Sequence, residues 1–435
     1  MLERIQVIKN EGFSFLACVA SITFIPLLPE YFAPVLAIAS LFFAAADARS
    51  RGTTIQVGPL GKLLLLYIAY MAIGILYSAH TMNSLATVAM WLVMFFLYVS
   101  LTTVLHNRRR IHFTLFLVAV VAGAVGGIAC LQYLYRMVFG KDAISNQVWL
   151  RLDEFVYKYF PIEINLDMGT NRSASTFTNP NMLAEYLVMI TPIAGYYGFC
   201  GKRNTPRLMA RALTVVAVFG IVMSFSRGAY LALLSMLLLI IVTHLRKLTP
   251  FMMCLVAGIS LIPEAIIGRL LSIGQGGNAI FERLEAWEVA LEATIRSPLI
   301  GLGPGVSNFW DFLLEMGVNV PHAHNLILQV LVEGGFIALF LLCLVATRLL
   351  QDSLTLLNRS RQVAPIGRVF LMFAIAFVVH GMVDYPFLSP KLIGTFCTVL
   401  GFFDAMAGTY LTNRLTPLKK LFEPLTKRLR KKNSL

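Results

Sequence analysis

Residues 321–347 read PHAHNLILQVLVEGGFIALFLLCLVAT, a polar head followed by a long apolar run. Beyond Asn325 the only charged side chain in this segment is Glu333, and the run reaches the ~20 residues that an α-helix needs to cross a bilayer. His324 and Asn325 stand at the outer end of this predicted helix, and His322 lies two residues before His324 in the preceding loop. The segment therefore predicts a transmembrane helix with polar, titratable side chains at one end.

Comparable apolar runs recur along the whole chain. Of its 435 residues, 58% are hydrophobic and only 13% are charged, whereas about a quarter of a soluble domain is charged. We therefore predict an all-α integral membrane protein, a single polytopic domain over residues 1–435 with about twelve transmembrane helices. The predicted spans lie near residues 13–29, 31–46, 62–79, 84–105, 113–138, 180–200, 210–223, 225–244, 250–267, 323–347, 365–384 and 390–412.

Basic residues collect in every second connection between these spans, as in the run Arg108, Arg109 and Arg110. Positive charge is retained on the cytoplasmic side, so both termini are predicted to be cytoplasmic. The net charge of +14 then reflects topology and a basic cytoplasmic tail at 413–435 facing anionic lipid headgroups, with no nucleic-acid partner. Two long outward segments remain, a first periplasmic loop at 140–179 and a large helical one at 268–322, and long loops tend to carry function.

Three arginines stand on the outward segments. Arg227, in SFSRGAY, lies where one apolar run ends and the next begins; a charge at membrane depth is a functional candidate, although a snorkelling arginine is the alternative. Arg283 lies on the predicted amphipathic helix FERLEAWEVALEATIR, where it could instead pair with Trp287 or a glutamate of the same helix. Arg172 belongs to NRSASTFTNPN, which also suits a helix-capping loop in which Asn179 or Asn181 caps the next helix around Pro180.

His324 is the strongest candidate for chemistry. Histidine has a reference pKa of ~6.5, which suits a group that accepts a proton and later releases it, although a lone histidine is usually only packed. Asn325 stands beside it as a supporting residue, and Gln329 and Glu333 follow on the same helix. His322 is the weaker candidate, because its position two residues earlier would aim it elsewhere. Three arginines and a histidine on one face suit a substrate with a diphosphate and a reacting hydroxyl.

At these residues the chain resembles the O-antigen ligase family of lipopolysaccharide assembly, within a group that includes O-antigen polymerases and bacterial O-linked oligosaccharyltransferases. The resemblance covers roughly residues 172–384. It rests on the order of FTNPNMLAEYL (177–187), SFSRGAYLAL (224–233), RLEAWEVAL (283–291), PLIGLGPG (298–305), HAHNLILQVLVEGG (322–335) and HGMVDYPF (380–387).

The resemblance implies a metal-independent, GT-C-like glycosyltransferase of the bacterial inner membrane, without cofactors. The donor would be O-antigen linked to undecaprenyl diphosphate, and the acceptor a sugar hydroxyl of the lipid A-core at the periplasmic face. By analogy His324 is the essential histidine, Arg227 and Arg283 engage the diphosphate, and Arg172 is a looser match. Metal independence agrees with the apparent lack of a DxD triplet or of a His/carboxylate cluster on the outward segments.

Other functions stay open. An O-antigen polymerase would use the same donor. Such polymerases often have an arginine followed, after ten residues, by a glycine in their outward loops. No outward arginine of this chain has glycine at that position, which favours a ligase. Protein O-oligosaccharyltransferases often add a soluble C-terminal region, whereas this chain ends in a short basic tail. A transporter would require internal repeats and broken helices at matching midplane positions, and no repeat is evident.

Overall fold

The computed structural model describes residues 12–139, 172–200, 204–243 and 277–410. Within these ranges the protein is entirely helical and has no β-strand, which confirms the predicted fold class. The α-helices in chain order are α1 Phe13–Phe24, α2 Phe32–Ser50, α3 Pro59–Gly74, α4 Thr81–Val104, α5 Arg108–Phe139, α6 Pro180–Phe199, α7 Thr205–Met223, α8 Arg227–Thr243, α9 Gly277–Arg296, α10 Val306–Glu315, α11 Leu326–Arg359, α12 Ala364–Gly381 and α13 Pro390–Tyr410.

Seven of the described helices are long and apolar enough to cross a membrane: α2, α4, α5, α7, α11, α12 and α13. Three shorter apolar helices, α1, α3 and α8, accompany them. These helices make the chain a multi-pass membrane protein, while the total of about twelve spans stays a prediction. The predicted span at 250–267, the tail at 413–435, and residues 140–171 and 268–276 of the two long loops lie outside the described residues.

Small residues bring the helices together. A Cβ atom on Gly220 of α7 would lie 2.5 Å from the Cα atom of Gly126 of α5, so neither position has room for a side chain. Lipid tails are as apolar as helix side chains, so the hydrophobic effect does not drive helices together in a membrane. Van der Waals packing contributes instead, and small residues allow the close backbone approach that it requires. The glycines therefore fix the α5–α7 pair, against which α6 also packs.

The helix α11 is interrupted at Gly335, although its sequence predicts one continuous span. Gly335 has φ +64° and ψ −167°, a left-handed conformation that glycine tolerates. The segment 298–303 fills the break: Leu302 donates its N–H to Val332 O at 2.7 Å, and Phe336 donates to Pro298 O at 2.8 Å. The break thus anchors the chain between α9 and α10 to the transmembrane bundle.

The helices α9 and α10 form an outer layer with its own small core. Ala286, Ala290 and Ala293 of α9 pack with Phe309 and Leu313 of α10 in a cluster distinct from the main core. The side chain of Trp287 donates to the carbonyl of Ala323 at 2.8 Å, so this layer rests on the loop that contains the two candidate histidines. The predicted amphipathic helix is therefore present and lies beside the candidate site.

Candidate active site

The site is organised around the turn that follows α12. The helix ends at Gly381, and Val383 and Asp384 both donate their backbone N–H groups to His380 O. Asp384 is 8% exposed. The turn therefore presents a largely buried carboxylate at the end of the bundle where α6, α8 and α11 begin.

Asp384 collects hydrogen bonds from separate parts of the chain. Its Oδ1 atom lies 3.2 Å from His324 Nδ1 and accepts the Tyr385 N–H at 2.9 Å. Its Oδ2 atom accepts from Asn181 Nδ2 at 2.9 Å. Burial acts to raise the pKa of Asp384, but the neighbouring His322 and His324 hold that pKa well below its usual range. Asp384 is therefore a carboxylate, and His324 Nδ1 must be the donor in their hydrogen bond.

His324 is held in an uncommon conformation. Its φ is +47°, a left-handed value that is rare outside glycine, and its side chain retains 21% exposure. The next residue, Asn325, caps α11 by accepting from the N–H groups of Ile327 and Leu328, and donates to Met382 O at 3.0 Å. Because Nδ1 carries the proton toward Asp384, the lone pair at Nε2 is available to accept another.

His322 lies against the same carboxylate, so the expectation that it would aim elsewhere is wrong. Its Nε2 atom is 3.7 Å from Asp384 Oδ1, and its ring centroid is 3.9 Å from that of His324. Burial lowers the pKa of His322 more than the neighbouring Asp384 raises it. The loop turns between the two histidines instead of continuing as a helix, which brings both rings to one side.

Together His322, His324 and Asp384 contradict the expectation that the outward segments hold no His/carboxylate cluster. One ligand atom from each lies within 4.8 Å of the others, close enough to hold a metal ion. Two imidazoles and a carboxylate are donors that Zn²⁺ and similar ions accept. Neither ring nitrogen of His322 has a hydrogen-bond partner in the described part of the chain, so the donor set fits an ion.

Arg283 reaches the same turn from the outer layer. Its Nη1 atom donates to Val383 O at 3.0 Å, one residue before Asp384. The sequence alternatives for Arg283 were pairs with Trp287 or a glutamate on its own helix, and no such hydrogen bond to the Arg283 side chain is seen among the described residues. Arg283 is half-buried, with the rest of its guanidinium at the edge of the site.

Arg227 approaches the turn from α8, which begins at this residue as predicted. A Cβ atom on the next residue, Gly228, would lie 2.5 Å from Val383 Cγ2 and 3.3 Å from His380 Nε2. The absence of a side chain at Gly228 lets the first turn of α8 contact the turn after α12. Arg227 is half-buried beside this contact.

Arg172 is drawn into the framework of the site. It donates from Nη2 to Asn181 Oδ1 and from Nε to Ser224 O, the latter at 2.8 Å. Asn181 in turn donates to Asp384, so Arg172 acts on the carboxylate through the asparagine. Arg172 therefore joins the start of α6 to the C-terminal end of α7.

The sequence did not predict that Asp384 and Asn181 belong to the site, nor that Glu185 and His380 form a second buried pair beside them. One helical turn below Asn181 and Asp384, Glu185 Oε1 lies 3.1 Å from His380 Nδ1, so α6 and α12 are joined by two successive polar contacts. Asp384 and His380 both occur in HGMVDYPF at the end of a predicted span, four residues apart. A histidine and a carboxylate four residues apart at the end of an apolar run were the available signal.

Comparison with known proteins gives one match. Residues 212–343 match the family model described as O-Antigen ligase, a segment that contains Arg227, Arg283, His322, His324 and Asn325. No curated protein matches the chain. The match confirms the predicted resemblance: residues 212–343 of this multi-pass membrane protein are similar to the O-antigen ligase family.

Proposed function

We propose that the protein is an O-antigen ligase. It transfers O-antigen from undecaprenyl diphosphate to a sugar hydroxyl of the lipid A-core, at the periplasmic face of the bacterial inner membrane. The observation that carries this proposal is the partly exposed His324, hydrogen-bonded to the buried Asp384 in the turn after α12. Arg283 donates to Val383 O of the same turn, and Gly228, the residue after Arg227, packs against Val383. The family match covers the histidine and both arginines.

The proposed reaction is a single displacement at the anomeric carbon of the donor sugar. The acceptor hydroxyl gives its proton to His324 Nε2 and forms a new bond to that carbon, while the bond to the diphosphate oxygen breaks. Asp384 keeps the proton on Nδ1 and stabilises the imidazolium that forms. The configuration at the anomeric carbon inverts because attack and departure occur on opposite sides.

Negative charge grows on the departing diphosphate, and guanidinium groups are suited to it. Arginine presents several N–H donors in a plane, which match phosphate oxygens in pairs. In this proposal Arg227 and Arg283 replace the divalent ion that other glycosyltransferases use, and Arg172 keeps Asn181 and Asp384 in position. No cofactor is needed.

The test separates donor binding from transfer in purified variants. His324→Ala should bind undecaprenyl diphosphate nearly as well as the wild type but transfer almost nothing, because a general base matters only as the proton moves. Arg227→Ala and Arg283→Ala should each weaken donor binding by about 10-fold or more, because each removes charge-assisted hydrogen bonds. Loss of donor binding in His324→Ala, with binding retained in both arginine variants, would reverse these roles.

His80 provides a matched control for this test. It is a histidine paired with a carboxylate, with its Nε2 atom 2.6 Å from Asp311 Oδ2, but the pair lies on the surface of the outer layer. His80→Ala should leave both donor binding and transfer unchanged. Melting temperatures of all variants should be compared to exclude misfolding.

A ligase and a polymerase differ in the lipopolysaccharide of a strain that lacks the gene. Loss of every O-antigen band with an intact core indicates a ligase, and a core with a single repeat indicates a polymerase. The proposed orientation is tested with single-cysteine variants and a membrane-impermeant thiol reagent in intact cells. A cysteine near Gly276 should react and one near Lys202 should not; the opposite result would place the site on the cytoplasmic side.

A further inference from the structure

The helix α9 has three distinct faces where its sequence predicts two. Ala286, Val289, Ala290 and Ala293 are buried against the protein. Glu282, Glu285 and Glu292 lie on a second side, and Glu288 borders it next to Leu284 and Leu291. The third face is apolar and exposed: Leu284 is 50% exposed, Leu291 52% and Ile295 78%, and Phe281, 65% exposed, lies one turn before Leu284 beside the glutamates. Leu284 and Leu291 therefore point away from the protein.

The lower end of this apolar stripe lies at bilayer depth. The segment after α9 inserts at the break in α11, about eight residues or about 12 Å from the outer end of that helix. Tyr77, just beyond α3, donates its hydroxyl to Ile300 O at 2.6 Å, which joins this segment to a second membrane helix. Leu299 is 62% exposed there and Leu76 is 86% exposed. The stripe therefore continues into apolar surface at the level of the outer leaflet.

The upper end of the stripe lies at the candidate site. Arg283 and Trp287 occupy the border between the buried and the exposed apolar faces, and they contact Val383 and Ala323, next to Asp384 and His324. From Leu284 at the upper end to Ile295 at the lower end the stripe extends along the helix by about 16 Å. It is one side chain wide, with a cation at the top and hydrocarbon surface below.

We propose that the stripe formed by Phe281, Leu284, Leu291 and Ile295 is a docking surface for the isoprenoid chain of the lipid-linked donor. This inference rests on the proposed function. A molecule with a diphosphate head and a single hydrocarbon chain matches the arrangement, because its head reaches Arg283 while its chain follows the stripe down to Leu299. The narrow stripe suits one chain better than the several acyl chains of a glycolipid acceptor. The stripe would keep the isoprenoid chain in apolar surroundings while the diphosphate head leaves the lipid.

The kinetic test compares one glycan diphosphate carried on undecaprenyl and on the much shorter geranyl chain. A hydrocarbon chain that covers a glutamine removes its water without replacing the hydrogen bonds. The double variant Leu284→Gln, Leu291→Gln should therefore raise KM for the undecaprenyl donor by about tenfold and change KM for the geranyl donor by less than about twofold. Leu314→Gln, at an exposed leucine of α10 outside the stripe, is the matched control. An unchanged ratio of the two KM values, or the same shift in the control, would overturn the inference.

Photo-crosslinking gives a readout that does not depend on turnover. Undecaprenyl diphosphate with a diazirine in its chain should label the peptide 284–295 of the full-length protein, and excess unlabelled undecaprenyl diphosphate should prevent the labelling. Equal competition by phospholipid, or labelling of this peptide by an acceptor acyl chain instead, would refute a dedicated surface. If His324→Ala and Arg283→Ala behave as proposed while this labelling fails, the docking surface falls and the ligase function stands.

Discussion

Asp384→Asn tests the role of the carboxylate with almost no change in shape. Asp384 Oδ1 faces His324 at 3.2 Å and Oδ2 accepts from Asn181 at 2.9 Å. Asparagine has one acceptor oxygen and one NH₂ donor, so either His324 or Asn181 would meet a donor in place of an acceptor. An amide that donates to His324 Nδ1 moves the ring proton to Nε2, which can then no longer accept the proton of the hydroxyl. We expect kcat to fall by about 100-fold or more, equal to about 2.7 kcal/mol.

The assay is transfer of labelled glycan from the lipid-linked donor to lipid A-core by purified protein, with donor affinity measured on the same preparation. Donor affinity should change little, because both arginines remain in place. Asp311→Asn removes the carboxylate of the surface pair with His80 and should leave kcat unchanged. A kcat for Asp384→Asn within a few fold of the wild type, or a loss explained wholly by donor binding, would refute the orienting role.

The remaining predictions concern charge, metal, pH and backbone. Arg227→Lys keeps the charge but loses the planar donor set, so transfer should fall by about 10-fold. Excess EDTA should leave transfer intact; activity lost to EDTA and restored by Zn²⁺ or Mg²⁺ would instead make the His322, His324 and Asp384 cluster a metal site. Because the folded-state pKa of Asp384 lies well below 3.8, its contribution to stability is complete above that value and lost as pH falls below it. The melting temperature of Asp384→Asn should thus respond less to acid than that of the wild type. Gly335→Ala should lower the melting temperature, because its Cβ atom would lie 2.3 Å from the Leu299 carbonyl; an unchanged value would mean that segment 298–303 is not tightly held.

Much of the architecture follows from the sequence because the relevant forces are local. Apolar runs long enough to cross a bilayer predict the helices, and polar or breaking residues mark their ends. Asn179 and Pro180 begin α6, with the asparagine side chain accepting the Asn181 N–H as a cap. Arg227 begins α8, and Asn325 caps α11. His324 and Arg227 were also singled out from the sequence, because a titratable or charged group at the end of a transmembrane helix is costly without a role, and their roles stay proposals.

Only the tertiary structure decided which polar groups meet. Asp384 lies sixty residues from His324 along the chain, and their contact depends on the packing of α6, α11 and α12. The break in α11 at Gly335 could not be predicted from the sequence either, because the backbone groups that bond to its ends come from the distant segment 298–303. The outward face of Leu284 and Leu291 depends on α10 and the histidine loop covering the other side of α9. Periodicity reports which side chains share a face of a helix, but the neighbour that covers that face is determined by the packing of distant segments.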